Sequence, residues 1–236
     1  MEATIMTGEG FYVARTNEFK RNDIAVFDYY GPNYQSPLED GSYAEFWSKR
    51  TYRLIAMSGD IINSHEGEVY INDKPIHFPE NGLFPYEVFS KVEIDDFPER
   101  TSSPSEYIGR TGDTLHYLAM LTEKEARDYS ERKPAIIRVK KKLEEYVESD
   151  TLVIRPCPEC KWTVDEFGPL KIPSPGDEVV VNKENFRLYK NIPGIQYGKN
   201  IIKEKLYFLM GDNRHGAQDS RFIGFISHSK MYGVVK

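Results

Sequence analysis

The most informative segment of the sequence is Gly211-Asp212-Asn213-Arg214-His215-Gly216-Ala217-Gln218-Asp219-Ser220-Arg221-Phe222-Ile223-Gly224. It follows an apolar run, Leu206 to Met210, whose composition predicts a buried strand. Taken alone, the segment reads as a charged surface turn after that strand, with its glycines at turn or close-packing positions. The other motifs of the chain decide between this interpretation and a functional one.

Composition narrows the classes of function. The chain has 236 residues, of which 39% are apolar, enough for one substantial core or two smaller ones. The formal net charge of −6 argues against nucleic acid as a partner, since phosphate binding needs a clustered positive face. No window approaches the roughly 18 to 20 apolar residues that cross a bilayer, and no signal peptide opens the chain. We expect a compact globular protein.

Short β-branched or aromatic runs recur between turn residues, which predicts a β-rich fold. These runs are Phe11 to Ala14, Ile24 to Tyr30, Tyr52 to Met57, Val69 to Ile71, Val179 to Val181 and Leu206 to Met210. The run that ends at Ile71 also opens a predicted hairpin, because Asn72-Asp73 tolerates the positive φ of a tight turn.

Two helices are predicted in the middle of the chain. Thr122 and Glu125 have the spacing of a capping box, which predicts a helix from Glu123 to about Arg132. Between Lys140 and Val147, apolar residues four apart among charged ones predict a second helix. This part of the chain is therefore expected to be of mixed α and β structure.

Cys157 and Cys160 form a single Cys-x-x-Cys motif. A structural zinc site needs four ligands, and no second Cys pair is present to complete one. The histidines are scattered without ligand spacing, at His65, His77, His116, His215 and His228. Three interpretations of the pair stay open: a local disulfide, two thiols or a metal site. We expect no metal and no other cofactor.

The segment from Gly211 resembles the last signature box of the type I signal peptidases, roughly Gly-Asp-Asn-Arg-x-Asn-Ser-x-Asp-Ser-Arg-x-Trp-Gly. That family cuts leader peptides from exported proteins with a serine and a lysine. The chain keeps the box at Gly211, Asp212, Asn213, Arg214, Asp219, Ser220, Arg221 and Gly224. Asp219 and Arg221 resemble an ion pair that braces the family's catalytic core. The other interpretation is a solvated pair worth under about 1 kcal/mol.

Four further segments resemble parts of the same family. Tyr52 to Asp60 is similar to its Lys-Arg-x-x-Gly-x-Pro-Gly-Asp segment, and Lys20 to Phe27 is similar to its Arg-Gly-Asp-Ile-Val-Val-Phe strand. Met1 to Gly8 resembles the residues after the nucleophile in the Ser-Met-x-Pro-Thr-Leu box. Trp162 to Asp177 resembles a segment of the larger signal peptidases of Bacteroidetes-type bacteria.

The resemblance covers residues 1–75 and 162–236 and implies a mainly β, α+β fold. We expect a discontinuous, signal-peptidase-like β core over 1–75 and 195–236, interrupted by an α+β insertion over 76–194. Members of the family are usually tethered by an N-terminal membrane helix. The resemblance therefore implies an anchor ahead of Met1, at the cytoplasmic membrane, with the domain facing the periplasm.

The catalytic positions of the family are altered in this sequence. The resemblance puts the nucleophilic serine one place before Met1, the lysine base on Tyr52 and the serine that orients this lysine on Ala217. A phenol has a pKa near 10 and burial raises it, so Tyr52 is a poor base. Lys49 lies three residues earlier, and in a strand this odd offset turns it to the opposite face. The sequence therefore predicts a degenerate dyad.

The family's substrates lie along exposed strand edges, whose unpaired backbone groups accept another strand. The resemblance places such edges at Met1, Glu2, Ala3, Thr4, Lys49, Arg50 and Thr51. We expect an inactive homologue that still binds extended peptides or exported preproteins. The alternative is an active signal peptidase I, a serine endopeptidase with a non-standard base such as Lys49. Related autoproteolytic repressors also share the core, but they carry an N-terminal DNA-binding domain, and none is visible here.

Overall fold

The computed structural model describes residues 10–37, 43–99, 105–132, 134–147 and 153–236, with the backbone alone for 32–37 and 43–46. Within these ranges the chain forms sixteen strands: β1 (Val13–Arg15), β2 (Ile24–Pro37), β3 (Tyr43–Met57), β4 (Ile61–His65), β5 (Glu68–Ile71), β6 (Lys74–Pro75), β7 (Phe84–Ser90), β8 (Glu106–Thr111), β9 (Thr114–Leu121), β10 (Ile136–Lys141), β11 (Phe167–Lys171), β12 (Glu178–Val181), β13 (Gly198–Ile201), β14 (Leu206–Met210), β15 (Ile226–Ser227) and β16 (Met231–Val235). The helices are α1 (Glu123–Ser130), α2 (Phe186–Tyr189), α3 (Ser220–Ile223) and a 3-10 helix, His228–Lys230. The prediction of a β-rich fold is confirmed.

The main sheet has six strands, in the order β1-β16-β2-β3-β14-β15, within the part of the chain that the structure describes. The apolar runs predicted as strands at 24–30, 52–57 and 206–210 lie in its neighbouring strands β2, β3 and β14. Strand β14 pairs with β3 antiparallel over Arg53–Met57. One apolar cluster on this sheet includes Leu54, which is fully buried. The sheet thus includes parts of two segments that resemble the signal peptidases, Lys20 to Phe27 and Tyr52 to Asp60, and its strand β14 leads into a third, Gly211 to Gly224.

A second cluster joins this sheet to later parts of the chain. Ile55 of β3 and Phe208 of β14 pack with Ile154, with Leu188 of α2 and with Phe167 of β11. Strand β11 itself pairs with β4, in a four-stranded sheet of order β11-β4-β5-β6. Segments that are distant in the sequence therefore share one core around β3 and β14.

The sheet of order β10-β7-β9-β8 has an apolar cluster of its own, which includes Phe84, Tyr117 and Tyr129. Leu83, just before β7, connects this sheet to the segment after β14. Its N–H donates to the carbonyl of Asp212 at 2.8 Å, and its carbonyl accepts from the N–H of Arg214 at 3.1 Å. The division into a core and a 76–194 insertion stays a prediction.

The local turn and cap predictions are confirmed. The Thr122 hydroxyl accepts from the N–H of Glu125 at 3.2 Å, and the Glu125 carboxylate accepts from the N–H of Thr122 at 2.8 Å, a complete capping box at the start of α1. Strands β5 and β6 form the predicted hairpin, and Asn72 and Asp73 have φ values of 51° and 63° in its turn.

The helix predicted between Lys140 and Val147 is wrong. Strand β10 runs to Lys141, with Lys140 opposite Glu87 of β7, and residues 142–147 are irregular. Two apolar residues four apart give a short helix little to bury, and Val147 is 52% exposed. Pairing with β7 therefore decides the conformation of this segment.

Cys157 and Cys160 form a disulfide, which answers the question that the sequence left open. Among the residues described, no cluster of three or more His, Cys, Asp or Glu side chains could hold a metal ion. Across the same residues, none of the helices has the length and the apolar character needed to cross a bilayer.

Candidate functional site

The segment after β14 is folded tightly against itself. The chain turns at Gly211, where a Cβ would collide with the Cβ of Ala217. The Gly211 N–H donates to the Asp219 carboxylate at 2.9 Å. Asp219 also caps α3, because its side chain accepts from the N–H of Arg221 at 3.1 Å. One carboxylate therefore fixes both ends of this loop.

Asp219 and Arg221 form a buried ion pair. Their side chains are 0% and 1% exposed, and two N–H groups of the guanidinium donate to the two carboxylate oxygens at 2.8 and 2.6 Å. The guanidinium also donates to the carbonyls of Val164 and Arg214, at 3.1 and 2.6 Å. The interpretation of this pair as solvated does not fit that geometry. Buried charges of this kind are stable only when fully paired.

Arg53 and Asp212 form a second ion pair beside the first. The guanidinium binds both carboxylate oxygens, at 2.8 and 2.6 Å, and Asp212 is 1% exposed. Arg214 is also buried, with its guanidinium 4.4 Å from the centre of the Phe78 ring. Burial, with a smaller contribution of the same sign from Arg221, lowers the pKa of Arg214 to about 9. Buried charge is costly, so the pairing of Arg53 with Asp212 favours one arrangement of the segment.

Asn213 and Ser220 satisfy backbone groups of the same segment. The Asn213 side-chain oxygen accepts from the N–H of Gly216 at 3.0 Å. The Ser220 hydroxyl accepts from the N–H of Leu209 at 3.0 Å, inside the strand β14. These polar side chains serve the local backbone.

Asp165 and His215 form a further pair that sequence reasoning missed. The His215 Nε2 lies 3.0 Å from the Asp165 carboxylate, which is 1% exposed. Burial acts to raise the pKa of Asp165, but the hydrogen bond and charge of His215 and the N–H of Glu144 outweigh it, so the pKa lies below its usual value. Fifty residues separate the partners, and no local sequence pattern indicates such a pairing.

Tyr52 and Ala217, the positions that the resemblance assigns to the family's lysine and orienting serine, lie together. A Cβ built on Gly211 would touch both the Ala217 Cβ and, at 3.6 Å, the Tyr52 ring. Burial raises the pKa of Tyr52 to about 12, with a smaller contribution of the same sign from Asp219, while the nearby Arg50 acts to lower it. The phenol is therefore neutral over the physiological range of pH.

Lys49 lies on the other face of β3. Its Nζ is 2.6 Å from a carboxylate oxygen of Asp28 and 3.8 Å from the centre of the Tyr232 ring. Its side chain is half exposed, and alternation along the strand places Thr51 on the same face. This face points away from Tyr52, so the amine of Lys49 does not reach the candidate site.

Arg50 shares the face of Tyr52, and its guanidinium acts to lower the pKa of that phenol. Its Nη1 donates to the carbonyl of Gln218 at 3.2 Å, and its guanidinium lies 4.2 Å from the centre of the Tyr29 ring. Arg50 thus links β3 to the loop after β14. The first predicted edge, Met1 to Thr4, falls outside the described residues.

Within the described residues, the two sides of strand β3 are paired to different extents. On one side it pairs with β2 along most of its length. On the other side β14 pairs with it only from Arg53, which lies opposite Met210. Among the described strands, none pairs with residues 47–52 on that second side. Backbone N–H and C=O groups along an unpaired strand edge can accept another strand.

The whole chain matches one known protein family. The family model described as "Signal peptidase, peptidase S26" matches residues 1–236. A protein named Signal peptidase I from Buchnera aphidicola subsp. Acyrthosiphon pisum (strain APS) is 39% identical over 51 residues, a match that spans 22% of this chain and 15% of that protein. The likeness to Bacteroidetes-type members stays a prediction. Because the family match covers the whole chain, this protein belongs to the signal peptidases of the S26 peptidase family.

Proposed function

We propose that this protein is a signal peptidase homologue that binds extended peptides without hydrolysing them. The proposal rests on the two side chains that occupy the dyad positions. Tyr52 presents a phenol whose pKa is raised to about 12, and Ala217 presents a methyl group. Neither group can take up or orient a proton as the family's lysine and serine do.

The barrier to base catalysis can be estimated. A serine hydroxyl needs a base that accepts its proton as it attacks the scissile carbonyl. A phenolate at pH 7 from a group with a pKa of about 12 costs about 7 kcal/mol, because each pKa unit is worth about 1.4 kcal/mol. A serine delivered to this site would therefore lack a base.

Peptide binding is supported by the open edge of β3 at residues 47–52. An extended peptide can add to such an edge through main-chain hydrogen bonds, and side-chain pockets then give specificity. Exported preproteins are the partners that the family suggests. The proposal places the domain on the outer face of the cytoplasmic membrane, held by an N-terminal anchor.

A cleavage assay tests the proposal. The protein, extended by any residues that its gene encodes before Met1, is incubated with a reporter preprotein, and an active signal peptidase serves as the positive control. We expect an intact reporter in mass spectra at neutral pH. Cleavage at the leader junction that is lost in Lys49→Ala would contradict the proposal and establish Lys49 as a base. Cleavage that survives this substitution would contradict the proposal too, and would require another base.

A further inference from the structure

The disulfide of Cys157 and Cys160 lies at the tip of an irregular loop. Both cysteines are half-buried, and the two residues between them, Pro158 and Glu159, are exposed. The N–H of Cys160 donates to the carbonyl of Cys157 at 3.1 Å, which closes the turn. The Cys-x-x-Cys spacing recurs in redox-active dithiols. The disulfide therefore lies where a reductant in solution can approach it.

The two arms of this loop lead to Arg221, the cation of the buried ion pair. On the arm before Cys157, the N–H of Ile154 donates to the carbonyl of Arg221 at 2.9 Å. On the arm after Cys160, the carbonyl of Val164 accepts from the Arg221 guanidinium at 3.1 Å. One arm thus binds the backbone of Arg221, and the other arm binds its side chain.

The arms themselves have little regular structure. Residues 153–166 form neither a helix nor a strand, and the Nε of Arg155 donates to the carbonyl of Trp162 at 3.2 Å across the loop. Ile154 and Trp162 line the same small cavity as Arg221. A cross-link restricts the open conformations of the loop that it closes, so its removal favours local opening. The disulfide is the covalent part of what holds the two arms together.

A change at Arg221 would reach the dyad positions. The Asp219 carboxylate binds the Arg221 guanidinium at 2.6 Å and also accepts from the N–H of Gly211 at 2.9 Å. Gly211 is the residue at which a Cβ would touch Ala217 and the Tyr52 ring. One series of contacts therefore connects the loop to the candidate site.

We propose that the disulfide of Cys157 and Cys160 is a redox-sensitive clasp, which holds the loop against Arg221 when oxidised and loosens it when reduced. The inference does not depend on the proposed function, because it concerns the conformation around Arg221 in an active or an inactive protein. The co-reactant is a dithiol reductant.

The exchange proceeds in two steps. The first thiolate of the reductant attacks one sulfur of the pair, which breaks its S–S bond and forms a mixed disulfide. The second thiolate then attacks the reductant's own sulfur in the mixed disulfide, so the reductant leaves with a disulfide of its own. Two electrons and two protons have then passed to Cys157 and Cys160, which are thiols.

Hydrogen exchange in the oxidised and the reduced protein tests this inference. Dithiothreitol is the dithiol probe, and mass spectrometry of the folded protein verifies the gain of two hydrogen atoms. Nuclear magnetic resonance follows exchange at the Ile154 N–H. We expect this exchange to be about tenfold faster after reduction. The Ala126 N–H, which donates to the carbonyl of Thr122 in α1, is the internal control and should keep its rate.

A double variant, Cys157→Ser with Cys160→Ser, separates loss of the disulfide from other effects of the reductant. It should show the faster exchange at Ile154 without dithiothreitol and no further change when dithiothreitol is added. Thermal unfolding checks that it folds. If it does not fold, the oxidised and reduced forms of the unaltered protein still supply the comparison.

Three results would overturn the inference. A disulfide that dithiothreitol reduces only after the protein has unfolded would be a structural cross-link. Reduction in the folded protein with no change at Ile154 would mean that the loop stays in place without the cross-link. Equal acceleration at Ala126 would mean that reduction destabilises the whole protein and not the loop. None of these results bears on cleavage of a preprotein, so each is distinct from a failure of the proposed function.

Discussion

The buried ion pair of Asp219 and Arg221 lies beside the dyad positions, Tyr52 and Ala217. The pair matches the resembled family pattern, whereas the dyad positions depart from it. The pair keeps the residues of the family's signature box, fully buried and joined by two hydrogen bonds. At the dyad positions that the resemblance assigns, the structure has a phenol and a methyl group. The comparison indicates that the side chains that hold this region folded are distinct from those proposed to decide hydrolysis.

The two regions differ in how much stability is lost when their side chains are replaced. Deleting one partner of the buried pair would leave a charge without water or counter-ion, which is strongly destabilising. Replacing a buried amine and hydroxyl by a phenol and a methyl group removes a desolvated cation and leaves no charge behind. Under the proposed function, the residues at positions 52 and 217 are therefore compatible with an intact fold, whereas we expect loss of the ion pair to destabilise it.

Asp219→Asn should have the largest effect. It leaves Arg221 buried without its counter-charge, so we expect the free energy of unfolding to fall by about 3 to 5 kcal/mol. Urea denaturation measures this change. The matched control is Glu178→Gln, which breaks the exposed pair with Lys199 and should change the same quantity by under about 1 kcal/mol. A loss of that small size for Asp219→Asn would remove the contrast between the two regions.

Tyr52→Lys introduces the residue that the resemblance assigns to this position. It tests how strongly a charged group is desolvated there. The ammonium would be desolvated, so its pKa in the folded protein would fall below the ordinary value of about 10.4. We expect a loss of about 3 kcal/mol at pH 7. The loss should shrink as pH rises towards about 10, because the unfolded state then binds fewer extra protons.

The control for this variant is Thr51→Lys, on the opposite face of the same strand. It should show no comparable dependence on pH in urea denaturation series. A Tyr52→Lys protein whose stability does not change with pH would mean that position 52 is hydrated, and would contradict its assignment as a buried dyad position.

Asp165→Asn should have a smaller effect, with a defined dependence on pH. It removes the charge that binds His215, and we expect a loss of about 1.5 to 3 kcal/mol at neutral pH. Because the folded pKa of Asp165 is lowered, this contribution is complete above the unfolded value of about 3.9 and is lost as pH falls through the folded pKa. The two proteins should therefore converge in stability only below about pH 4.

Urea titrations at a series of pH values measure the difference between these proteins, with Asp128→Asn as an exposed control. A difference between the two proteins that stays constant as pH falls below about 4 would show that the charge of Asp165 is not what stabilises the pair.

Local sequence patterns predicted correctly the elements that interactions between nearby residues determine. The runs at 24–30, 52–57 and 206–210 are strands because they are apolar and bounded by turn residues, and the capping box of Thr122 begins α1. The segment after Lys140 was predicted wrongly because pairing with a distant strand overrides a weak helical spacing. Such long-range pairing leaves little trace in the nearby sequence.

The candidate site also depends on long-range contacts that the sequence does not indicate. Resemblance placed Tyr52 and Ala217 at matching positions, and the fold brings them together. The point at Arg53 where β14 stops pairing with β3 is set by tertiary packing, and the pairing of Asp165 with His215 joins segments fifty residues apart. Neither could be read from the sequence, because both depend on tertiary packing.

The most direct test of the account is a titration of the Tyr52 hydroxyl. Carbon chemical shifts of labelled tyrosine rings are followed with pH by nuclear magnetic resonance, and Tyr52→Phe assigns the signal. The account predicts that Tyr52 stays neutral through the physiological range and ionises at a pH of about 12. Ionisation of Tyr52 near neutral pH would give the site a proton acceptor and would contradict the claim that it cannot drive hydrolysis.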